Sequence, residues 1–331
     1  MSAFLPPPRE RGAALLAVLL LVAIMGAIAA SAFERLRLST ALATNLAALD
    51  QARAYAIGVE NLLALRADDL AAEDPQVTTL AGDWNGTERQ IPLPGDGLAV
   101  GTIRDAGNCF NLNSLAEGDA ARGLSTRQQG VEQFLGLMQV VGLPQAEAVQ
   151  IAASAADWID ADSEPGPAGA EDSAYAGGER PYRAANTLFA EVSELRAVAG
   201  VTPEAYERMR PFLCALPVTD LSPINVNTLL PRDAPLIAML APAQIPPQQV
   251  LSVIARRPQS GWRELMEFHR ALGTGGGTLP LDQLGQLQLS SRWFALELRV
   301  TFAEAELVET ALVDARTMPA KVVVRRWGRD E

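Results

Sequence analysis

Between Asp157 and Glu179 the chain places seven carboxylates, Asp157, Asp160, Asp162, Glu164, Glu171, Asp172 and Glu179, with no Lys or Arg among them. Such a cluster repels itself unless a cation sits inside it. Asp160, Asp162, Glu164 and Glu171 stand at relative positions 1, 3, 5 and 12, from which an EF-hand loop draws side-chain ligands for Ca²⁺. The sixth place, Gly in that loop, is Pro165 here. The spacing therefore predicts the donor chemistry rather than the loop itself: hard oxygen ligands in a flexible geometry, which suit Ca²⁺ over Mg²⁺. Asp172, Asn186 and backbone carbonyls are the candidates to complete the shell. The competing reading is a solvated acidic loop, which the local Gly and Pro content also suits.

Other chemistries find little support. The only histidine is His269, and no Gly-x-Ser-x-Gly elbow accompanies it, so it reads as an ordinary helix residue. Zinc sites built from His and Cys clusters are excluded by count. Glu171 and Asp172 are adjacent, which gives no sign of the separation that glycoside hydrolysis needs. Gly273–Gly277 lacks the Lys and the preceding strand of a phosphate loop. A formal net charge of −12 argues against nucleic acid as a partner. Asn225–Leu272 resembles a helix-hairpin-helix module, and Ser193–Phe212 echoes its shape. The Gly-hydrophobic-Gly hairpin is missing, with Ala243–Pro247 in its place, so both read as scaffold.

The elements that must position the acidic loop begin at the N-terminus. Arg9-Glu10-Arg11-Gly12 is followed at once by Ala13–Phe33, which carries no charge and is long enough to cross a hydrocarbon core as one helix. A secretory signal places its small residues after the apolar run; here Gly12 stands before it. Cleavage after Gly12 would leave Ala13 as the new N-terminus, a polarity that resembles type IV prepilins. Arg9 and Arg11 predict a cytoplasmic leader, with the bulk of the chain on the other side. In that oxidising compartment Cys109 and Cys214 are expected to form a disulfide, against the alternative of two buried thiols. Leu42, Leu46, Leu49, Ala56, Val59 and Leu63 continue an apolar face past the span, and no proline falls between Pro8 and Pro75. One helix is expected from about Ala13 to Ala67, roughly 80 Å long at 1.5 Å per residue. Its first half lies in lipid and its second packs on a sheet.

Further on, Gln90–Leu93 and Leu98–Asp105 read as short strands. Helical patterns dominate from Phe110 to about Leu287: Ser125–Val141, Gln145–Trp158, Ser193–Ala199, Pro203–Ala215, Pro247–Arg256 and Trp262–Leu272. Trp293–Phe302, Glu306–Ala315 and Lys321–Trp327 then read as a three-stranded antiparallel meander. A helical domain inserted into an α/β host explains this order most simply.

Several segments together carry a family resemblance. They are Arg11-Gly12-Ala13-Ala14-Leu15-Leu16, Phe110-Asn111-Leu112-Asn113, Asp157-Trp158-Ile159-Asp160-Ala161-Asp162, Ala170-Glu171-Asp172 with Tyr175, Tyr182-Arg183-Ala184-Ala185-Asn186, Ser193-Glu194-Leu195-Arg196 and Asn225-Val226-Asn227-Thr228. In this order they resemble the minor pseudopilin K family of bacterial type II secretion systems. The resemblance implies an α+β fold: a pilin-like long N-terminal helix on a small antiparallel sheet, with a large inserted all-α domain of SAM-like or helix-hairpin-helix-like units. It divides the chain into a prepilin leader (1–12), a transmembrane part (13–33), a first pilin-like part (34–108), the inserted helical domain (109–287) and the strands that complete the sheet (288–331). It further implies calcium in the helical domain, processing between Gly12 and Ala13 by a prepilin peptidase that also methylates, an inner-membrane anchor and a periplasmic head. The expected partners are the minor pseudopilins I and J, in a tip complex that initiates the pseudopilus; contact with secreted substrates stays open. Most pseudopilins carry Glu at the fifth mature position, where this chain has Ala17. A buried carboxylate there is thought to pair with the subunit above, so its absence suits a fibre tip. On this reading the protein is not an enzyme. A pilus-related or other membrane-anchored periplasmic binding module is the alternative.

Overall fold

The structure, a computed structural model, describes residues 9–119, 123–177, 181–273 and 285–328. Glu179, residues 1–8 of the expected leader and 274–277 of the glycine-rich linker lie outside them. Helix α1 (Arg9–Glu73, 65 residues) is about 100 Å long. It outruns the expected Ala67 because Asp68–Glu73 contains nothing that breaks a helix before Asp74-Pro75. From Ala13 to Ala47 every position is exposed. Burial begins at Ala48 and continues through Ala52, Ala56, Val59, Leu63, Ala67 and Leu70, in steps of three and four. The expected stripe is thus partly corrected: Leu42, Leu46 and Leu49 are 55%, 62% and 37% exposed. Alanine forms the start of the seated face, which brings the helix close to the sheet. At Gly101 the approach is close enough that a Cβ would lie 2.9 Å from Leu63 Cδ1.

Hairpin β1 (Arg89–Leu93) and β2 (Gly97–Asp105) opens the sheet. The inserted part then runs through β3 (Phe110–Asn111), β4 (Ala116–Asp119), β5 (Gly123–Thr126), α2 (Gln128–Val140) and α3 (Gln145–Ile159). It continues with α4 (Asp172–Tyr175), a 3₁₀ turn at Val192–Ala197, α5 (Pro203–Met209), β6 (Leu213–Cys214) and β7 (Ile224–Asn225). Helices α6 (Ala234–Ala238), α7 (Pro247–Ala255), α8 (Leu265–Ala271) and strand β8 (Leu287–Gln288) complete it. The chain returns to the sheet as β9 (Trp293–Phe302), β10 (Ala305–Asp314) and β11 (Lys321–Trp327).

The five strands lie in the order β1-β2-β9-β10-β11, antiparallel throughout. Because Asp105 of β2 pairs with Phe294 of β9, the helical part is inserted between neighbouring strands. The Asp105 carboxylate ties the two attachment points together. It accepts hydrogen bonds from Thr228 Oγ1, Ser291 Oγ and Gly107 N. Beyond the junction, Cys109 and Cys214 are joined by a disulfide with Cα atoms 5.7 Å apart, beside the parallel pairing of β3 with β6. The inserted part has its own core, built around stacked Phe110 and Phe134, 4.9 Å between ring centroids.

Four expected helices are shortened, each for a local reason. Ser125–Val141 starts only at Gln128, because Ser125 and Thr126 pair with Glu117 and Ala116 in a hairpin. Ser193–Ala199 is a 3₁₀ turn closed by a capping box between Glu191 and Glu194. Pro203–Ala215 stops at Met209 ahead of Pro211, and Leu213–Cys214 is extended. Trp262–Leu272 begins at Leu265, because the Asn227 side chain takes both backbone groups of Trp262.

Candidate functional site

Helix α3 carries Asp157 and Trp158 in its last turn and ends on Asp160, which caps its C-terminus. Hairpin β4–β5 packs there: Ala161 N donates to Leu124 O, and Thr126 Oγ1 donates to Asp160 Oδ2 at 2.9 Å. Asp157 organises the following loop. Its Oδ2 accepts from Gly166 N at 3.0 Å, and the loop passes so close that a Cβ on Gly169 would lie 1.9 Å from that oxygen. The loop thus carries Glu171 back over the end of α3. Oxygens of Asp160, Asp162 and Glu171 all lie within 4.8 Å of one another.

Asn186 joins from the far side. Its backbone N donates to Trp158 O and its Nδ2 to Asp162 O, both at 3.0 Å. Its Oδ1 is buried without a donor, as are Asp160 Oδ1 and both Glu171 oxygens. Asp160 and Glu171 are 6% and 3% exposed, so these lone pairs do not have water instead. Burial pushes both carboxyls above the usual range, and the surrounding carboxylates push further, against the Thr126 hydrogen bond on Asp160. Such an arrangement is costly unless a cation supplies the missing partner. The donors are all oxygen, which suits a hard divalent ion and not a thiophilic one.

Two expected ligands stand apart. Glu164 is exposed, and its backbone N, not its carboxylate, reaches the cluster by donating to Asp162 Oδ1 at 2.9 Å. Asp172 turns away to accept from Ala184 N at 3.0 Å, with Arg183 at 3.8 Å. Thr126, Asp157 and Gly169 belong to the site's framework and were not among the expected ligands. The framework is backed by an aromatic cluster in which Trp158 meets Tyr175 edge-on at 5.3 Å, and Tyr175 stacks on Tyr182 at 5.2 Å. His269 lies elsewhere, buried on α8, where burial lowers its pKa.

At the other end of the molecule, α1 is long and apolar enough to cross a membrane. Gly12 and Ala13 both lie within it. An apolar N-terminal helix whose far half seats an antiparallel sheet, with a globular head beyond, defines the pilin-like α+β class and fits a single-pass membrane anchor. Two family profiles, both described as type II secretion system protein K, match residues 108–218 and 224–289. The type II secretion system protein K of Pectobacterium carotovorum is 34% identical over 97% of each chain. That of Klebsiella pneumoniae is 36% identical, again over 97% of each. A crystal structure of the GspK-GspI-GspJ complex from the enterotoxigenic Escherichia coli type 2 secretion system contains a chain of the same fold. Its TM-score is 0.71 at 30% identity, covering 85% of this chain and 97% of that one. The chain belongs to the protein K family of type II secretion systems and is a minor pseudopilin.

Proposed function

We propose that the protein is made as a prepilin, cleaved after Gly12, methylated on Ala13, and held in the inner membrane by Ala13–Phe33 with its head in the periplasm. There it joins the minor pseudopilins I and J at the tip of the pseudopilus and initiates its assembly. The observation that carries this reading is the bare length of α1. Leu36, Leu38, Leu42 and Leu46, beyond the span and short of the sheet, are each more than half exposed. An apolar helix face of that length needs lipid or neighbouring helices. The inserted domain makes the head bulky, which is easier to place at a tip than within a fibre. The complex solved for the Escherichia coli relative names partners of this kind.

Co-purification of the full chain with I and J from detergent extracts tests the assembly. Leu42→Asp and Leu46→Asp should each weaken it more than surface substitutions do, because each buries an unpaired charge in the contact. Failure of the three to associate well above micromolar concentration would contradict the tip role. Intact-mass analysis of the extracted protein tests processing: a terminus other than Ala13 would reject it.

The acidic site is part of the same proposal. Asp160, Asp162, Glu171 and Asn186 would hold Ca²⁺, which would supply the charge and the coordination their buried oxygens lack and so fix the loop against α3. Asp172 and Glu164 are not among the ligands in this reading. Calorimetric titration with Ca²⁺, with Asp160→Ala and Asp162→Ala beside the unaltered chain, checks it. Unchanged affinity in both variants would remove this loop from the site.

A further inference from the structure

Glu60 on α1 and Glu309 on β10 meet inside the interface between helix and sheet, and both are fully buried. Arg325, on edge strand β11, reaches between them. Its Nε donates to Glu60 Oε2 at 2.7 Å and its Nη2 to the other Glu60 oxygen. The same Nε lies 3.2 Å from Glu309 Oε1. Leu298 of β9 and Trp327 of β11 stand opposite Glu309 on its two sides, and Val59 and Leu63 flank Glu60 on α1. The charges that act on Glu309 are those of Glu60 and Arg325. Two carboxylates and one guanidinium would leave a net negative charge in a buried site. Moreover, neither Glu309 oxygen has a hydrogen-bond donor there. A single proton removes the net charge and gives one Glu309 oxygen a partner, since a neutral Glu309 donates to Glu60, while Arg325 Nε stays beside Oε1.

We propose that Glu60, Glu309 and Arg325 form a proton-held latch between the shaft helix and the sheet: one proton shared by the two carboxyls seats α1, and its loss loosens that seat. Because the sheet carries the inserted domain and α1 carries the anchor, the latch sets how firmly the head rides on its shaft. Burial, then the hydrogen bond and charge of Glu60, hold the Glu309 carboxyl up at about 8, against an ordinary value of 4.5. Against its own burial, hydrogen bonds from Arg325 and Glu309 keep Glu60 below the usual range. The folded protein thus binds the Glu309 proton more tightly than the unfolded chain does. The stability this confers is fully present below 4.5 and is lost as the pH rises through about 8. The latch is closed at pH 6 and opens towards pH 9.

The test uses the full chain in detergent micelles with Ca²⁺ present. Difference infrared spectra between pH 6 and pH 9 should show a protonated-carboxyl stretch that titrates near 8 in the unaltered protein and is missing in Glu309→Gln. That variant keeps a neutral donor for Glu60. Amide hydrogen exchange along 48–70 of α1, corrected for the intrinsic effect of pH, should accelerate on the order of tenfold or more over the same range. In Glu309→Gln it should stay flat. The infrared titration of the unaltered protein decides without any variant: no titrating band overturns the proposal. So does a band titrating near 8 that is undiminished in Glu309→Gln, or exchange along α1 that follows pH equally in both proteins.

Discussion

Neutralising one carboxylate of the acidic site should change the sign of its effect on stability with the metal content of the solution. The perturbations are Asp160→Asn, which keeps an acceptor for Thr126, and Glu171→Gln. With carboxylate oxygens within 4.8 Å, two unit charges repel by about 3 kcal/mol at an effective dielectric constant of about 20. Each variant removes two such pairs from the three. Asp162 is exposed to solvent, which screens the two pairs it takes part in. The relief expected near neutral pH is therefore smaller, roughly 1–3 kcal/mol, or about 2–8 °C in Tm. In chelator both variants should be more stable than the unaltered protein. In Ca²⁺ at a hundred times its Kd the unaltered protein gains about 2.7 kcal/mol by mass action, the variants gain little, and the order reverses. Thermal unfolding followed by circular dichroism reads the crossing. Trp158, packed on Tyr175 beside the loop, gives a local fluorescence signal for the same transition. Variants that are less stable than the parent in chelator, or a parent whose Tm ignores Ca²⁺, would refute the reasoning.

The sheet and the long helix were legible because each rests on a local periodic pattern. Trp293–Phe302 and Lys321–Trp327 alternate along their length, and their observed bounds are the expected ones. The face of α1 was read less well. Large leucines dominate a periodicity argument, whereas the seated face begins with Ala48, Ala52 and Ala56, whose small size is what lets the helix lie close. Spacing along an acidic loop likewise could not show that Gly169 must wrap around Asp157. Nor could it show that Asp172 would turn to Ala184, because both depend on where the chain doubles back. Hairpin β4–β5 was missed since its residues, Ala116–Asp119 and Gly123–Thr126, carry no β-branched or aromatic run. A signal was present for the inserted part's construction. Phe110-Asn111-Leu112-Asn113 and Ile224-Asn225-Val226-Asn227 repeat one pattern, and each opens with a two-residue strand paired in parallel to a later one. The Asn side chains explain the repetition. Asn113 spans Phe189 and Leu216, and Asn227 spans Trp262 and Leu289. The acidic loop lies only in the first of these two units, between α3 and the 3₁₀ turn. The Glu60, Glu309 and Arg325 cluster gave no sequence signal: Glu309 and Arg325 sit on the neighbouring strands β10 and β11, but Glu60 lies 265 residues before Arg325 in the chain.

Replacing Cys109 and Cys214 with Ser together should cost about 4–5 kcal/mol, the chain-entropy value for closing a loop of this size; denaturant unfolding with and without reductant measures it, and equal stability in both conditions would reject the bridge. Gly169→Ala should lower Ca²⁺ affinity by at least about tenfold, ~1.4 kcal/mol, because its Cβ collides with Asp157 Oδ2; calorimetry that finds the parent affinity would exclude that collision as a constraint on the site. The junction offers a sharper contrast. Asp105→Ala removes the acceptor for Thr228 Oγ1, Ser291 Oγ and the backbone N–H groups of Gly107 and Asn108. The hydroxyls can turn, and Thr228 already has Asn225 O within 3.2 Å. The two backbone donors cannot, and stranding them costs about 1–3 kcal/mol each. Asp105→Asn keeps one acceptor for them, and its amide can donate to the hydroxyls, so its cost should stay under about 1.5 kcal/mol. The alanine variant should also become open to proteolysis at the turn after β2, where the insertion departs from the sheet. If the two substitutions cost the same, or if protease finds no new site, the carboxylate is not what holds the inserted domain to its strands.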